Sequence, residues 1–321
     1  MVSIKRKRIK NKSYEYAEYS FRLPDGKIKK LSKMIREKKD AKGQEVLDYF
    51  VGKEIEANKE FASKEYKPDT ILPIERIKKI EESRIRYKHI MKRLSKPQIQ
   101  DILDRFTINF TYESNAIEGN SLTLKDVTFI LREDMIPSGK NLREIYETRN
   151  TRYANELLFD RKIKIDKEGI IKIHSVLMKD TGVKKGFKEV PNFLLMRNTK
   201  TTLPEDVEKE MDNLVRWYEK VKGKEHPLRI AADFHGEFER IHPFEDGNGR
   251  VGRMLINAIL IDNDYPPLII RKTSRIAYFS ALEASDNGHK DKLRGFIFEK
   301  YLKTFDNFFM IYSKYANKVK T

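Results

Sequence analysis

Ile241-His242-Pro243-Phe244-Glu245-Asp246-Gly247-Asn248-Gly249-Arg250-Val251-Gly252-Arg253 is a short polar loop set between two helical patterns. Upstream, Leu228, Ala231, Phe234 and Phe238 recur at helical spacing, and downstream Met254, Leu255, Ala258, Ile259 and Leu260 do the same. Gly247, Asn248 and Gly249 let the backbone turn several N–H groups toward one point and lead into a helix N-terminus, whose unpaired donors and dipole favour an anion. Arg250 and Arg253 lie in the first turn of that helix, where cations are disfavoured, and share one side of it. Two guanidiniums held against the dipole suit bidentate binding of a phosphate chain. Asp246 offers a hard oxygen suited to magnesium on those phosphates, and His242 titrates in the range of a general base.

Taken singly, each piece has an ordinary structural reading. A histidine near a helix end caps or packs, Gly-Asn-Gly makes a turn, and Phe244 anchors the loop in the core. The combination is more specific: the order His-x-Phe-x-Asp-Gly-Asn-Gly-Arg-x-x-Arg resembles the signature of the Fic family at every defining position. The resemblance implies a mainly α chain with the Fic (Fido) helical core that transfers AMP from ATP to a Ser, Thr or Tyr hydroxyl of a protein. By the same resemblance His242 deprotonates the hydroxyl and Asp246 holds Mg2+. Gly247, Asn248 and Gly249 line the anion hole, Arg250 supports the phosphates, and Arg253 fixes the γ-phosphate.

A second segment is Ser114-Asn115-Ala116-Ile117-Glu118-Gly119. Ser114 and Glu118 are one helical turn apart, and Gly119 suits the left-handed residue that ends a helix. Read alone, Glu118 is a solvated surface acid or a carboxylate seeking a cation at the negative helix end. Beside the loop, the segment resembles the family's inhibitory motif, Ser/Thr-x-x-x-Glu-Gly/Asn, placed N-terminal to the core on a helix of about residues 97–119. That resemblance implies that Glu118 competes with the γ-phosphate for Arg253, or that it orients a water for removal of AMP.

Composition bounds the remainder. The 321 residues carry a net charge of +17 and no cysteine, so disulfides and thiolate metal sites are excluded. No apolar run approaches a membrane span and the first residues lack a signal-peptide core, so a cytoplasmic protein without a membrane partner is expected. Residues 1–39 hold fourteen Lys and Arg against four acids, a net +10. That concentration could attract nucleic acid, an acidic partner or a membrane surface, or form a solvated basic tail.

Along the chain, residues 1–12 read as disordered, and alternation from Tyr14 to Lys30 predicts a β-hairpin turning at Pro24-Asp25-Gly26. Its Tyr14, Tyr16 and Phe21 could stack on bases or pack on the following helix. Helices are expected over 43–66 and 74–94, and from the capping box at Ser95-Lys96-Pro97-Gln98. Thr123, Asn141 and Asp166 cap further helices, the last carrying His174 as a core histidine, and Pro204 starts another. Residues 1–70 read as a basic appendage and 71–321 as the main domain.

Between Gly182 and Leu203 helical periodicity fails, and Val190–Met196 with Thr199–Leu203 could form a hairpin. By resemblance this is the flap that holds the target segment, with Asn192, Phe193 and Leu194 in it; the chain has Gly186-Phe187-Lys188 just before it, where relatives commonly carry arginine. Tyr278, Phe279 and Asp286 are implied near the adenine, although as aromatics at helical spacing the first two also read as core. The expected architecture is mainly α, with a small β-hairpin flap and a basic N-terminal hairpin. The expected function is an autoinhibited, magnesium-dependent protein adenylyltransferase; AMP removal or transfer of another phosphate-containing group is the second enzyme reading, and a nucleic-acid-tethered regulator is the reading from another class. The target, self-modification and homo-oligomerisation stay open.

Overall fold

The computed structural model describes residues 2–10, 12–194 and 197–318; Leu195 and Met196 of the expected flap lie outside the described residues. The chain folds into two compact units, one from residues 1–94 and 310–321, the other from 95–309. The boundary read near residue 70 falls inside the first unit, because the helices on either side of it pack along each other.

The first unit begins with strands β1 (Ser3–Ile9), β2 (Lys12–Arg22) and β3 (Ile28–Ile35), an antiparallel meander in the order β1-β2-β3. The expected hairpin is β2 and β3, turning at Pro24-Asp25-Gly26, where Gly26 takes φ +85 and the Leu23 N–H donates to Lys27 O at 2.8 Å. Within the stretch 1–12 that the sequence reading expected to be disordered, Ser3–Ile9 add a third strand, Arg6 opposite Glu15 and Lys7 opposite Tyr14. Charge repulsion within β1 is offset by acids of β2, with Arg6 3.3 Å from Glu15 and Lys7 3.6 Å from Glu18.

Helix α1 (Gln44–Glu65) covers one sheet face, placing Val46, Phe50 and Ala57 against Ala17, Phe21 and Ile35. Phe21 therefore packs, as one of the two readings had it. Helix α2 (Ile74–Arg93) runs along α1. Between them Glu54 is fully buried and accepts from Tyr19 Oη at 2.5 Å and Lys88 Nζ at 2.7 Å, with His89 Nε2 at 2.8 Å. Burial alone would favour the neutral acid, but these partners outweigh it and hold the carboxyl down at about 2.

The second unit is helical: α3 (Lys96–Ile117), α4 (Leu124–Arg132), α5 (Leu142–Phe159), α6 (Lys167–Leu177), α7 (Pro204–Val221), α8 (Pro227–Ile241), α9 (Asn248–Asp262), α10 (Arg275–Asp286) and α11 (Lys290–Thr304). A last helix, α12 (Ile311–Lys318), belongs to the first unit and packs on α2. The expected caps are in place: the Ser95 N–H donates to Gln98 Oε1 at 2.9 Å, and Thr123 Oγ1, Asn141 Oδ1 and Asp166 Oδ1 accept from first-turn amides. Helix α9 is buried along nearly its whole length and contacts α3, α5, α6 and α8, so its N-terminus is fixed from several sides. Among the described residues the flap hairpin is reduced to a single antiparallel bridge, Phe193 with Lys200, and Phe193 is 89% exposed. No helix among the described residues is long and apolar enough to cross a membrane.

Candidate functional site

The decisive loop runs from the C-terminus of α8 to the N-terminus of α9. His242 ends α8 in the left-handed region, φ 51 and ψ 61, its N–H donating to Phe238 O at 2.9 Å. For a residue with a Cβ this conformation is unfavourable, and it persists because both flanks are pinned. Phe244 is buried and stacks on His174 with ring centroids 3.8 Å apart, and His174 Nε2 donates to Asp246 O at 3.1 Å. His174 is thus the expected core histidine and also a brace for the loop; burial pushes it down to about 4, which keeps it neutral. Asn248 clamps the turn from the other side, accepting from the Phe244 N–H at 2.9 Å and donating to Phe244 O at 2.7 Å. Gly247 takes φ +84, and a Cβ there would lie 2.7 Å from Met178 Cε, so only glycine passes.

Both arginines of α9 are buried. Arg250 is held by Glu147 at 2.9 Å and Asp246 at 3.2 Å, and Arg143 bonds Asp246 on its other oxygen. Burial opposes ionisation of Asp246, but Arg250, the Gly247 amide and Arg143 more than offset it and hold the carboxyl below its ordinary range. Arg253 donates through Nε to Ser114 Oγ at 3.0 Å and through Nη2 to Ser114 O at 2.9 Å and Glu118 Oε1 at 2.7 Å. A Cβ built on Gly249 would collide with Glu118 Oε1. The Glu118 carboxylate therefore rests directly over the start of α9, on the spot its dipole and backbone prepare for an anion. Among the described residues Arg253 Nη1 and Arg250 Nε are buried without a hydrogen-bond partner, donors left over for such a ligand.

Behind His242 lies a buried ionic chain. His242 Nδ1 is 3.7 Å from Glu239 Oε2, Glu239 is 3.6 Å from Arg197 Nη1, and Arg197 bonds Asp286, to which Thr199 Oγ1 also donates at 2.9 Å. Burial, with Lys188 and Arg197 nearby, pushes His242 down to about 3, so the imidazole is neutral at any ordinary pH. Glu239 moves the other way, burial raising it to about 7 despite Arg197. Lys188, brought down to about 8 by burial, fastens the exposed segment to the loop: its Nζ donates to Asn192 Oδ1 at 2.8 Å and Thr201 Oγ1 at 3.1 Å, and its N–H to Pro243 O at 2.8 Å. Asn192 in turn donates to Phe244 O at 2.9 Å.

Residues 164–260, which contain this loop with Glu239 and Arg197 behind it, match the family model described as the Fic/DOC family. That stretch is thus similar to a Fic domain. The chain is similar to the protein adenylyltransferase Fic of Nematostella vectensis, 34% identical over 182 residues, 55% of this chain and 43% of that protein. The namesake from Drosophila melanogaster is 32% identical over 200 residues, 61% of this chain and 40% of that protein. The chain thus spans less than half the length of these curated relatives. Among solved structures, a Fic family protein from Desulfovibrio desulfuricans aligns with a TM-score of 0.62 and 26% identity, over 77% of each chain. A Fic domain containing signaling protein from Bacteroides thetaiotaomicron aligns with the same TM-score at 24% identity, over 75% of this chain and 96% of that one.

In the helical unit, His242, Asp246, Gly247, Asn248, Gly249, Arg250, Arg253, Ser114 and Glu118 come together at one end of α9, Ser114 and Glu118 reaching it from outside the matched residues. The residues singled out for an adenine pocket are differently engaged. Tyr278 is 1% exposed, with its Oη 2.7 Å from His235 Nε2 and its ring under Arg253, and Asp286 is taken by Arg197 and Thr199; Phe279 is half-buried beneath Arg275. Arg143, Glu147, Lys188, Arg197 and Glu239 were not foreseen as parts of the site. Only the Lys188 position carried a sequence signal, as the basic residue just ahead of the flap.

Proposed function

We propose that this chain is a protein adenylyltransferase held in check by its own α3, moving AMP from ATP to a hydroxyl of a protein. The observation that carries the reading is the Glu118 carboxylate seated over Gly249 while gripping Arg253. A site that accepts a carboxylate there, beside guanidinium donors to spare, has the charge and donors for a phosphate, and the two anions exclude each other. The names of the curated relatives agree with the chemistry.

In the proposed reaction the target hydroxyl oxygen bonds to the α-phosphorus, the bond from that phosphorus to the bridging oxygen breaks, and pyrophosphate departs. His242 takes the hydroxyl proton; Glu239 beside Nδ1 favours the tautomer with the proton on that nitrogen, leaving Nε2 as the acceptor. The α9 amides with Arg250 and Arg253 stabilise the charge on the phosphates. Asp246 fits one ligand of a magnesium ion: it is a single carboxylate, 44% exposed, and among the described residues no group of three or more His, Cys, Asp or Glu could hold a metal by itself. The ion, with phosphate oxygens and water as its other ligands, would supply neutralisation of the triphosphate. Asn192, Phe193 and Leu194 would align the target segment by main-chain pairing at the exposed bridge.

The test is labelling of the protein itself and of a lysate with ATP carrying a tagged adenylyl group. Wild type should label weakly, Glu118→Gly at least about tenfold more strongly, as loss of a competing charge-assisted contact implies, and Glu118→Gly with His242→Ala not at all. Equal labelling of wild type and Glu118→Gly would remove the inhibitory role, and labelling that survives His242→Ala would remove the base.

A further inference from the structure

The sheet of the first unit has two faces, and only one is used by the core. Cross-strand register puts Lys5, Tyr16 and Met34 in one row, with Lys7 beside Tyr14 and Ser20 beside Lys30 on the same side. This is the face away from α1, because the residues between them, Ala17, Phe21 and Ile35, are the ones buried against the helix. Lys5, Lys12, Lys30 and Met34 are exposed there, and Tyr14 and Tyr16 are half-buried. The single acid in that row of β2, Glu18, is answered by Lys7, whose Nζ also stands 4.6 Å above the Tyr16 ring.

We propose that this open face of β1–β2–β3 is a binding surface for single-stranded nucleic acid, distinct from the site at α9. Tyr14 and Tyr16 are two residues apart on one strand and so about 7 Å apart on one face, a separation that successive unstacked bases can bridge. The lysines on both neighbouring strands flank the rings and supply phosphate partners on either side, and Lys7 over Tyr16 already joins a cation to a π face. The concentration of charge agrees: residues 1–39 carry +10 of the chain's +17. A flat, aromatic-bearing sheet suits single strands over duplexes, which would meet only the lysines.

Fluorescence anisotropy of the full chain with labelled oligothymidylate and oligouridylate of roughly 20 nucleotides tests this, alongside duplex DNA, heparin and phosphatidylserine vesicles. Binding to one or both single strands should weaken as salt rises, and the preference between them assigns DNA or RNA. Tyr14→Ala with Tyr16→Ala should lower single-strand affinity roughly tenfold or more and leave heparin binding unchanged, whereas Lys5→Glu with Lys12→Glu should lower both. His242→Ala should bind like wild type. The substituted side chains lie off the α1 core, so melting temperatures near wild type are expected, and the lysine pair serves if the tyrosine pair does not fold. No single-strand binding, affinity indifferent to both tyrosines, or capture of vesicles without capture of oligonucleotides overturns the proposal.

Discussion

At the scale of single residues, one acid and one base with shifted titration set the expected pH behaviour. His242 is pushed to about 3, so its protonation does not limit activity between pH 5 and 8. Glu239, raised to about 7, does titrate there, and its ionised form, 3.7 Å from Nδ1, is the one whose charge favours a proton on that nitrogen of His242. Glu118 adds to the rise of Glu239, so labelling by Glu118→Gly should increase with pH on the acid side of 7, and adding Glu239→Gln should flatten that increase and lower kcat about tenfold while leaving the KM for ATP unchanged. A limb that survives Glu239→Gln would assign it to another group. Arg253→Lys keeps the charge but not the fork that meets Ser114 Oγ, Ser114 O and Glu118 together, so nucleotide affinity in the Glu118→Gly background should drop by about tenfold or more, measured by calorimetry. His242, Asp246 and the arginines were legible because their spacing within one loop is itself the signal. Glu239, Arg197 and Asp286 were not: they meet across as many as 89 residues of chain, and an ion pair of that span leaves no periodic trace.

At the scale of elements, α3 and the α8–α9 turn carry the site. The C-terminus of α3 is fastened by Arg275, whose Nε donates to Ile117 O at 2.6 Å, and by Glu113, which accepts from the Lys272 N–H at 2.7 Å. Arg275→Ala should loosen the turn that presents Glu118 and raise labelling several-fold, short of Glu118→Gly; unchanged labelling would show that the turn is held elsewhere. The turn between α8 and α9 depends on Asn248, and Asn248→Ala strands the buried amide of Phe244, whose carbonyl keeps Asn192 as a donor, costing about 1–3 kcal/mol in urea unfolding. Helices and their caps were readable because apolar spacing and the Ser95, Thr123, Asn141 and Asp166 side chains act locally. The β1 strand was not, since seven residues dominated by lysine and arginine look like a solvated tail until Glu15 and Glu18 are placed opposite them. The expected flap is the converse case, alternating residues that form a single bridge among the described residues.

At the scale of the molecule, burial of neutral histidines predicts sensitivity to acid. His174, His235 and His242 sit at about 4, 3 and 3, below the ordinary value of 6.5, so the unfolded chain binds protons that the folded one refuses. Stability from these groups is whole above pH 6.5 and is lost as pH falls toward the folded values, up to about 2 kcal/mol each by pH 5. Glu239 acts in the opposite sense, since its raised value adds stability as pH falls from 7 toward 4.5, by about 2 kcal/mol at pH 5. The histidines outnumber it, and urea unfolding at pH 7.5 and 5 should differ by about 4 kcal/mol in favour of pH 7.5; equal stability would mean that these imidazoles are hydrated.

One further consequence follows from the perch of Glu118 at the last turn of α3. Reciprocity of coupled equilibria requires that a triphosphate displacing the carboxylate also weaken the grip on that turn, and that any ligand clasping the turn repel the triphosphate by the same factor. Amide exchange at residues 115–120 should quicken with nucleotide, making the end of one helix a readable gauge of occupancy at the start of another.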